Sequence, residues 1–298
     1  MKLLTDVLAD AKIEYQTDLP LCDCSSFRIG GAAELAVLPH SKEELVQALT
    51  ILRKHKVPVT VIGCASNVVF PDEGLGGAVL FTGGCRAVSI EGESIYADSG
   101  VRLGTVAAAA RDASLSGAEF LYGIPGTLGG AVFMNAGAFG GCMADICVES
   151  EYYDLQTGRV GVLRGEEQGF GTRESVYEKN PSYVILGARM KLCQGDSSAI
   201  ADTMKEYLER RRATQPLDYP SAGSVFKRPV GHFAGKLIED CGLKGMRIGG
   251  AEVSPKHAGF IVNRGDATAR DVRELTEAVQ KTVLEMTGVQ LEREIRFL

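Results

Sequence analysis

Residues 117–141 read Gly-Ala-Glu-Phe-Leu-Tyr-Gly-Ile-Pro-Gly-Thr-Leu-Gly-Gly-Ala-Val-Phe-Met-Asn-Ala-Gly-Ala-Phe-Gly-Gly. Eight glycines (Gly117, Gly123, Gly126, Gly129, Gly130, Gly137, Gly140 and Gly141) stand among apolar residues with almost no charge. A solvent loop would be polar, and an ordinary buried helix or strand would avoid so much glycine. Two readings are open. Either the backbone folds tightly against a large flat ligand, presenting peptide N–H groups to phosphates or to an acceptor-rich ring, or it makes a set of tight turns within a buried core.

Working outward, glycine makes up 36 of 298 residues, against a usual ~7%, so close backbone approaches are a general feature of the chain. The length allows a substantial core and two or more domains. A net charge of −6 argues against general nucleic-acid binding. The first ten residues carry two acids and no long apolar run, so no signal peptide is expected, and no run of 18 apolar residues predicts a spanning helix. Eight cysteines without a Cys-x-x-Cys pair, and only four histidines, argue against a zinc or iron–sulfur site. They read as scattered small hydrophobes in a reducing cytosol.

The pattern predicts a helix over 1–16, then a turn into a strand by Pro39. Ser41, with Glu44 three residues on, forms a capping box for a helix to about His55, followed by a strand at 57–62. This strand–helix–strand unit suggests parallel pairing. The strand runs into Gly63-Cys64-Ala65-Ser66-Asn67, a loop position that often holds ligands in α/β proteins. Strands are expected over 78–99 and 145–192, with helices at 101–113, 197–214 and about 268–288, and a last strand at 290–297. The prolines at 216 and 220 mark a domain boundary.

Common fingerprints are missing. There is no Gly-x-Gly-x-x-Gly, and the 231–237 glycine–lysine run is one residue too short for a phosphate loop. Neither Gly-x-Ser-x-Gly nor His-Glu-x-x-His is present. The second polar loop is Pro220-Ser221-Ala222-Gly223-Ser224-Val225-Phe226-Lys227-Arg228-Pro229. Its Ser224 could deliver a proton, and its Lys227 and Arg228 could bind phosphate or carboxylate.

In order along nearly the whole chain, these motifs resemble the UDP-N-acetylenolpyruvoylglucosamine reductase (MurB) family. The matching elements are Ser26-Phe27-Arg28-Ile29-Gly30-Gly31, the 63–67 loop, 122–141, Phe170-Gly171-Thr172-Arg173-Glu174-Ser175, 220–229, 249–263 and Leu291-Glu292-Arg293-Glu294-Ile295. The resemblance implies an α+β fold: a two-part FAD-binding domain of the vanillyl-alcohol-oxidase (PCMH) type over 1–214, divided near 85, and a smaller α+β substrate domain over 215–298. The Ser224 loop is similar to that of the shorter subclass, which lacks an inserted substrate-covering loop.

The activity so implied is NADPH-dependent, FAD-mediated reduction of UDP-N-acetylglucosamine enolpyruvate to UDP-N-acetylmuramate, a cytoplasmic step of peptidoglycan synthesis, with no metal, nucleic acid or membrane. Arg173 and Glu294 then stabilise the charge that develops on the substrate carboxylate, and Ser224 donates the proton. By strand alternation Glu292 and Glu294 share a side, and only the motif selects Glu294. Ser175 either orients Arg173 or bonds the backbone. FAD-binding residues are Gly63, Cys64, Ala65, Ser66, Asn67, Gly123, Ile124, Pro125, Gly126, Thr127, Gly130, Ala131, Asn135, Ala136 and Gly137, and substrate-binding residues are Lys227 and Arg228. Against the family pattern, Ala65 replaces a glycine, Thr172 replaces a tyrosine, and no glycine follows the last strand. The rival readings are a related flavin oxidoreductase with another substrate, a non-catalytic nucleotide-sugar or flavin binder, and an unrelated acidic α/β scaffold.

Overall fold

A computed structural model describes residues 2–298. The chain forms two compact units. The first comprises residues 2–17, 34–64 and 76–209; the second comprises 18–33, 65–75 and 210–298. The second unit is thus assembled from the C-terminal part of the chain and two short segments from the N-terminal part.

The first unit is built on two sheets. A four-stranded sheet orders Tyr15–Pro20, Ala32–Val37, Leu75–Phe81 and Val59–Ile62 side by side. Val59–Ile62 does pair in parallel, but with Leu75–Phe81. The strand–helix–strand reading had suggested Ala32–Val37 as its neighbour; the later strand is inserted between the two. The connecting helix, Lys42–Lys54, starts as expected, with the Ser41 side chain accepting the Glu44 N–H at 3.2 Å. The return half of the predicted box is displaced by one residue, because the Glu44 carboxylate accepts the His40 N–H at 2.9 Å.

A five-stranded antiparallel sheet orders Arg159–Arg164, Cys147–Asp154, Tyr183–Lys191, Ser94–Asp98 and Val88–Glu91. The Leu103–Asp112 helix buries Leu103, Val106, Ala107 and Ala110 in this unit's larger core, with Phe120, Leu121 and Leu128 from the glycine-rich stretch.

The first helix is shorter than the pattern predicted and ends at Asp10. Lys12 turns left-handed (φ 59), and the Ile13 N–H returns to the Leu8 carbonyl at 3.0 Å, a six-residue closure that stops a helix. Leu8 and Ile13 are both buried, and Tyr15 begins a strand.

In the second unit, Ser221–Ser224, Phe260–Asn263, Ala251–Val253 and Arg247–Ile248 make an antiparallel sheet. The Ala269–Thr287 helix presents Val272, Leu275, Val279 and Val283 to this unit's core at helical spacing. Its start is doubly capped: Thr268 accepts the Asp271 N–H, and Asp271 accepts the Thr268 N–H, each at 3.0 Å. Asp72, from a short N-terminal segment, takes the free Ala269 and Arg270 N–H groups at 2.8 and 3.2 Å. Phe27 and Ile29 also lie in this core. The Ser26-to-Gly31 motif is therefore scaffold for this unit. The Gly31 N–H bonds the Pro71 carbonyl at 2.9 Å, and any side chain at Gly30 would strike Phe70.

The last strand is also shorter than expected. Only Arg296–Phe297 is in regular pairing, parallel to Val68–Val69, while Arg293 makes an isolated bridge to Phe226. Of the eight cysteines only Cys85 and Cys147 are buried; Cys193 is exposed and the rest are half-buried, so the small-hydrophobe reading holds for two.

Candidate functional site

In the first unit the glycine-rich stretch is mostly irregular backbone. Glu119–Leu121 is a single 3-10 turn, and Leu128–Phe133 is a six-residue helix. Gly123 (φ 84), Asn135 (φ 45), Phe139 (φ 53) and Gly140 (φ 92) are left-handed. The stretch is laced to the segment after the Ser94–Asp98 strand. Leu103 N–H bonds the Gly126 carbonyl, Leu128 N–H the Val101 carbonyl, and Gly129 N–H the Ser99 carbonyl, at 2.8–3.0 Å. Gly129 abuts Ser99, and Gly141 abuts the Phe120 ring. The tight-turn reading is therefore true of the inner side of the stretch.

The same region has unused bonding capacity. Among the described residues, the buried Ser99 Oγ and Thr127 Oγ1 have no hydrogen-bond partner. Buried hydroxyls are nearly always paired. A methyl at Gly63 would overlap the Thr127 hydroxyl, so Gly63 stands directly against it. Two orphaned hydroxyls beside glycine backbone fit a large, acceptor-rich group such as FAD. Half-buried Cys64 belongs here as well: desolvation pushes its thiol above the usual range, and the Arg102 guanidinium pulls the other way.

Sequence reasoning missed Ser99 and Arg102. The signal that flagged 63–67, a loop after a parallel strand, does not extend to 99–102, which follows a strand of the antiparallel sheet. Gly123, Ile124, Gly126 and Gly137 are half-buried; Pro125 and Gly130 are exposed; Thr127, Ala131, Asn135 and Ala136 are buried.

Arg173 sits on the same unit's 171–175 loop, half-buried and left-handed at φ 59. Hydrogen bonds tie this loop to the glycine-rich stretch. Ser175 Oγ donates to the Phe133 carbonyl at 2.6 Å, Asn135 Nδ2 to the Gly171 carbonyl at 2.8 Å, and Arg173 Nη2 to the Gly137 carbonyl at 3.1 Å. Ser175 thus bonds backbone, and it also caps the Val176–Lys179 turn of helix. Thr172, where the family pattern has tyrosine, is exposed at the turn.

In the second unit, Ser224 is exposed and pairs with Phe260 in the sheet. The next residues run beside the C-terminal segment: Glu294 N–H bonds the Val225 carbonyl and Lys227 N–H the Glu292 carbonyl, both at 2.8 Å. The structure thus brings the Ser224 and Glu294 segments together. Glu292 and Glu294 differ in surroundings, and strand alternation does not apply because the segment is irregular there. Glu292 is exposed and paired with Lys227 Nζ at 2.6 Å, whereas Glu294 is half-buried.

Lys227 is accordingly held by a carboxylate. Arg228 lies over the Phe233 ring at 3.9 Å and donates through Nε to the His232 carbonyl at 3.3 Å. From the 63–67 loop, Ala65 is buried and left-handed at φ 48, and Ser66 and Asn67 are half-buried. The Asn67 side chain reaches the Glu294 carbonyl at 3.1 Å. Among the described residues no group of His, Cys, Asp or Glu could hold a metal.

Residues 215–298 match the UDP-N-acetylenolpyruvoylglucosamine reductase C-terminal domain, and residues 33–164 match an FAD-binding domain. The UDP-N-acetylenolpyruvoylglucosamine reductase of Caldicellulosiruptor bescii is 45% identical over 293 residues, 98% of this chain and 93% of that protein. The crystal structure of the Thermus caldophilus reductase superposes with a TM-score of 0.80 at 35% identity, covering 96% of this chain and 98% of that one. Berberine bridge enzyme, at 18% identity and a TM-score of 0.50 over 65% of this chain and 43% of that one, shares the fold of the PCMH-type flavoenzymes. With a relative this similar over almost its full length, and with an FAD-binding domain ahead of a matching C-terminal domain, the chain belongs to the UDP-N-acetylenolpyruvoylglucosamine reductase family.

Proposed function

We propose that the chain catalyses the NADPH-dependent, FAD-mediated reduction of UDP-N-acetylglucosamine enolpyruvate to UDP-N-acetylmuramate in peptidoglycan precursor synthesis. Family membership supports the reaction and the cofactor. The observation that carries the chemistry is the exposed Ser224 hydroxyl on a strand whose neighbouring segment bears Glu294.

Residues 1–214 hold the cofactor in this reading, and residues 215–298 the substrate. The backbone of 63–67, 123–127, 130–131 and 136–137 would hold FAD, and the buried Ser99 and Thr127 hydroxyls would find their missing partners on it. When bound, FAD supplies the hydride that it takes from NADPH. The chain's residues manage the charge and the proton. Hydride addition to the terminal carbon of the enolpyruvyl group builds enolate character on the neighbouring carbon and its carboxylate. Arg173 offsets the carboxylate charge with its guanidinium, and Glu294 acts there as an acid, its carboxyl O–H donating to the same group. Ser224 Oγ–H protonates the carbon. A free hydroxyl is a weak acid, but the enolate carbon is basic enough to accept its proton at hydrogen-bond range.

Lys227 and Arg228 address the anionic sugar nucleotide, which requires each to exchange its present partner, Glu292 or the Phe233 ring. The reaction is assigned to the cytoplasm in this reading. No helix among the described residues is long and apolar enough to cross a membrane.

An absorbance spectrum followed by two anaerobic additions tests the reading. Oxidised-flavin bands are expected, bleached by NADPH and restored by the enolpyruvyl sugar nucleotide. Bleaching without restoration would reject the substrate, and a colourless protein that FAD cannot reconstitute would reject the cofactor.

A further inference from the structure

Asn135 occupies a place where the backbone asks for glycine. Its φ is 45 in a stretch otherwise supplied with glycine wherever the chain turns left-handed, apart from Phe139. Asparagine tolerates this region better than most residues, but glycine tolerates it best. The side chain supplies the reason for its presence. Asn135 is 7% exposed, and both ends of its carboxamide are engaged. Oδ1 accepts the Ala144 N–H at 2.9 Å, which fixes the plane and sense of the amide, and Nδ2 donates to the Gly171 carbonyl at 2.8 Å.

Gly171 and Glu174 close a tight turn with Arg173 inside it; the Gly171 N–H reaches the Glu174 carbonyl at 3.0 Å. Holding the Gly171 carbonyl therefore holds the turn that presents Arg173. Arg173 itself also bonds the glycine-rich stretch, as does Ser175 at the loop's far end. The amide thus holds the near end of the turn through backbone, independently of the guanidinium, which the reaction also requires.

We propose that the Asn135 carboxamide is a positioning group for Arg173, acting on substrate reduction through the 171–175 loop rather than by contact with the cofactor. This rests on the proposed role of Arg173. Asn135→Gly removes the amide and suits the backbone, which offsets part of the cost of leaving the Ala144 N–H without its acceptor. Asn135→Asp keeps the acceptor for Ala144 and loses the donor to Gly171.

The experiment measures flavin content, the rate of flavin reduction by NADPH and the rate of reoxidation by the enolpyruvyl sugar nucleotide. The set is the single variants, Arg173→Ala, and Asn135→Gly combined with Arg173→Ala. Both Asn135 variants are expected to keep FAD and their NADPH rate, while reoxidation slows about ten- to a hundred-fold, the scale of a small misplacement. In the Arg173→Ala background, Asn135→Gly is expected to add nothing. Loss of FAD with normal reoxidation per bound flavin would make Asn135 a cofactor ligand and overturn the proposal, as would additive losses in the combined variant. Normal reoxidation in Arg173→Ala alone would remove the proposed role of Arg173, and this inference with it. Normal reoxidation in both Asn135 variants beside a slow Arg173→Ala would overturn the inference alone.

Discussion

The Asn67 side-chain amide donates to the Glu294 carbonyl at 3.1 Å while the Asn67 carbonyl accepts the Arg296 N–H at 3.0 Å. One residue of the expected cofactor loop thus holds the backbone of the proposed catalytic Glu294 and of Arg296 two residues on, a bracket around Ile295. Asn67→Asp replaces the donor with an acceptor facing a carbonyl. A loss of about 1–3 kcal/mol in stability is expected, with slower reoxidation of reduced flavin by substrate. Denaturant melts and stopped-flow traces check both, and unchanged values in both would show the bracket to be idle.

Ser224→Ala is expected to lower the rate of substrate reduction by about 10²–10⁴-fold, the usual share of a positioned proton donor. Flavin reduction by NADPH is expected to continue at its normal rate. Ser224 is exposed, so stability is expected to change little. A variant that reduces substrate at the parental rate would assign the proton to another group.

Ala65 stands left-handed at φ 48, which explains why the family pattern has glycine there. Three small terms decide the effect of Ala65→Gly. Relief of the left-handed conformation favours glycine by about 1–2 kcal/mol. Loss of a buried methyl opposes it by about 0.8 kcal/mol, and the freer unfolded chain by about 0.4–1 kcal/mol. Stability is therefore expected to stay within about 1 kcal/mol of the parent, while FAD binds more tightly through closer backbone approach. Titration of apoprotein with FAD gives the answer, and weaker binding would count against the loop's assigned role.

Phe27→Ala is expected to cost about 3–5 kcal/mol, because Phe27 is fully buried in the second unit's core. The Asn263 side chain also donates to the Phe27 carbonyl at 3.0 Å. Hydrogen exchange is expected to rise in the Phe260–Asn263 strand and the Ala269–Thr287 helix, far away in sequence. Exchange confined to residues near 27 would contradict the packing.

His257 gives a pH dependence of stability. Burial holds its pKa below the usual histidine value, reinforced by Lys244 and opposed by Glu239 and by the histidine's own backbone hydrogen bond. Nδ1 accepts the Gly259 N–H at 3.0 Å, which requires that nitrogen unprotonated. The unfolded chain therefore takes up this proton more readily than the native one. The contribution is complete above about pH 6.5 and declines as the pH falls below that value. Chemical denaturation at several pH values is expected to show this slope, reduced in His257→Gln.

Much of this was legible in the sequence because the decisive signals are local. The Thr268 and Ser41 caps, the 197–214 helix and the glycine-rich stretch announce themselves through neighbouring residues. What could not be read depends on distant partners. Nothing near Ala32–Val37 shows that Leu75–Phe81 will separate it from Val59–Ile62. Nothing near Asn135 shows that its amide will reach Gly171, and nothing near Asp72 shows that it will hold the start of a helix at Ala269. Lys227 reads as an available cation until Glu292 is placed beside it. Ser99 has no unusual neighbours in sequence and is marked only by the lack of a partner once buried.

Phe27, Ile29 and Val69 complete a core otherwise made by the last third of the chain. A gene fragment encoding residues 215–298 alone would yield a polypeptide with apolar gaps and a helix start without the Asp72 carboxylate. Those 84 residues form a recognisable stretch of sequence but not an inheritable module. Exchange by recombination would have to carry two short upstream pieces with it, in register, to deliver something able to fold.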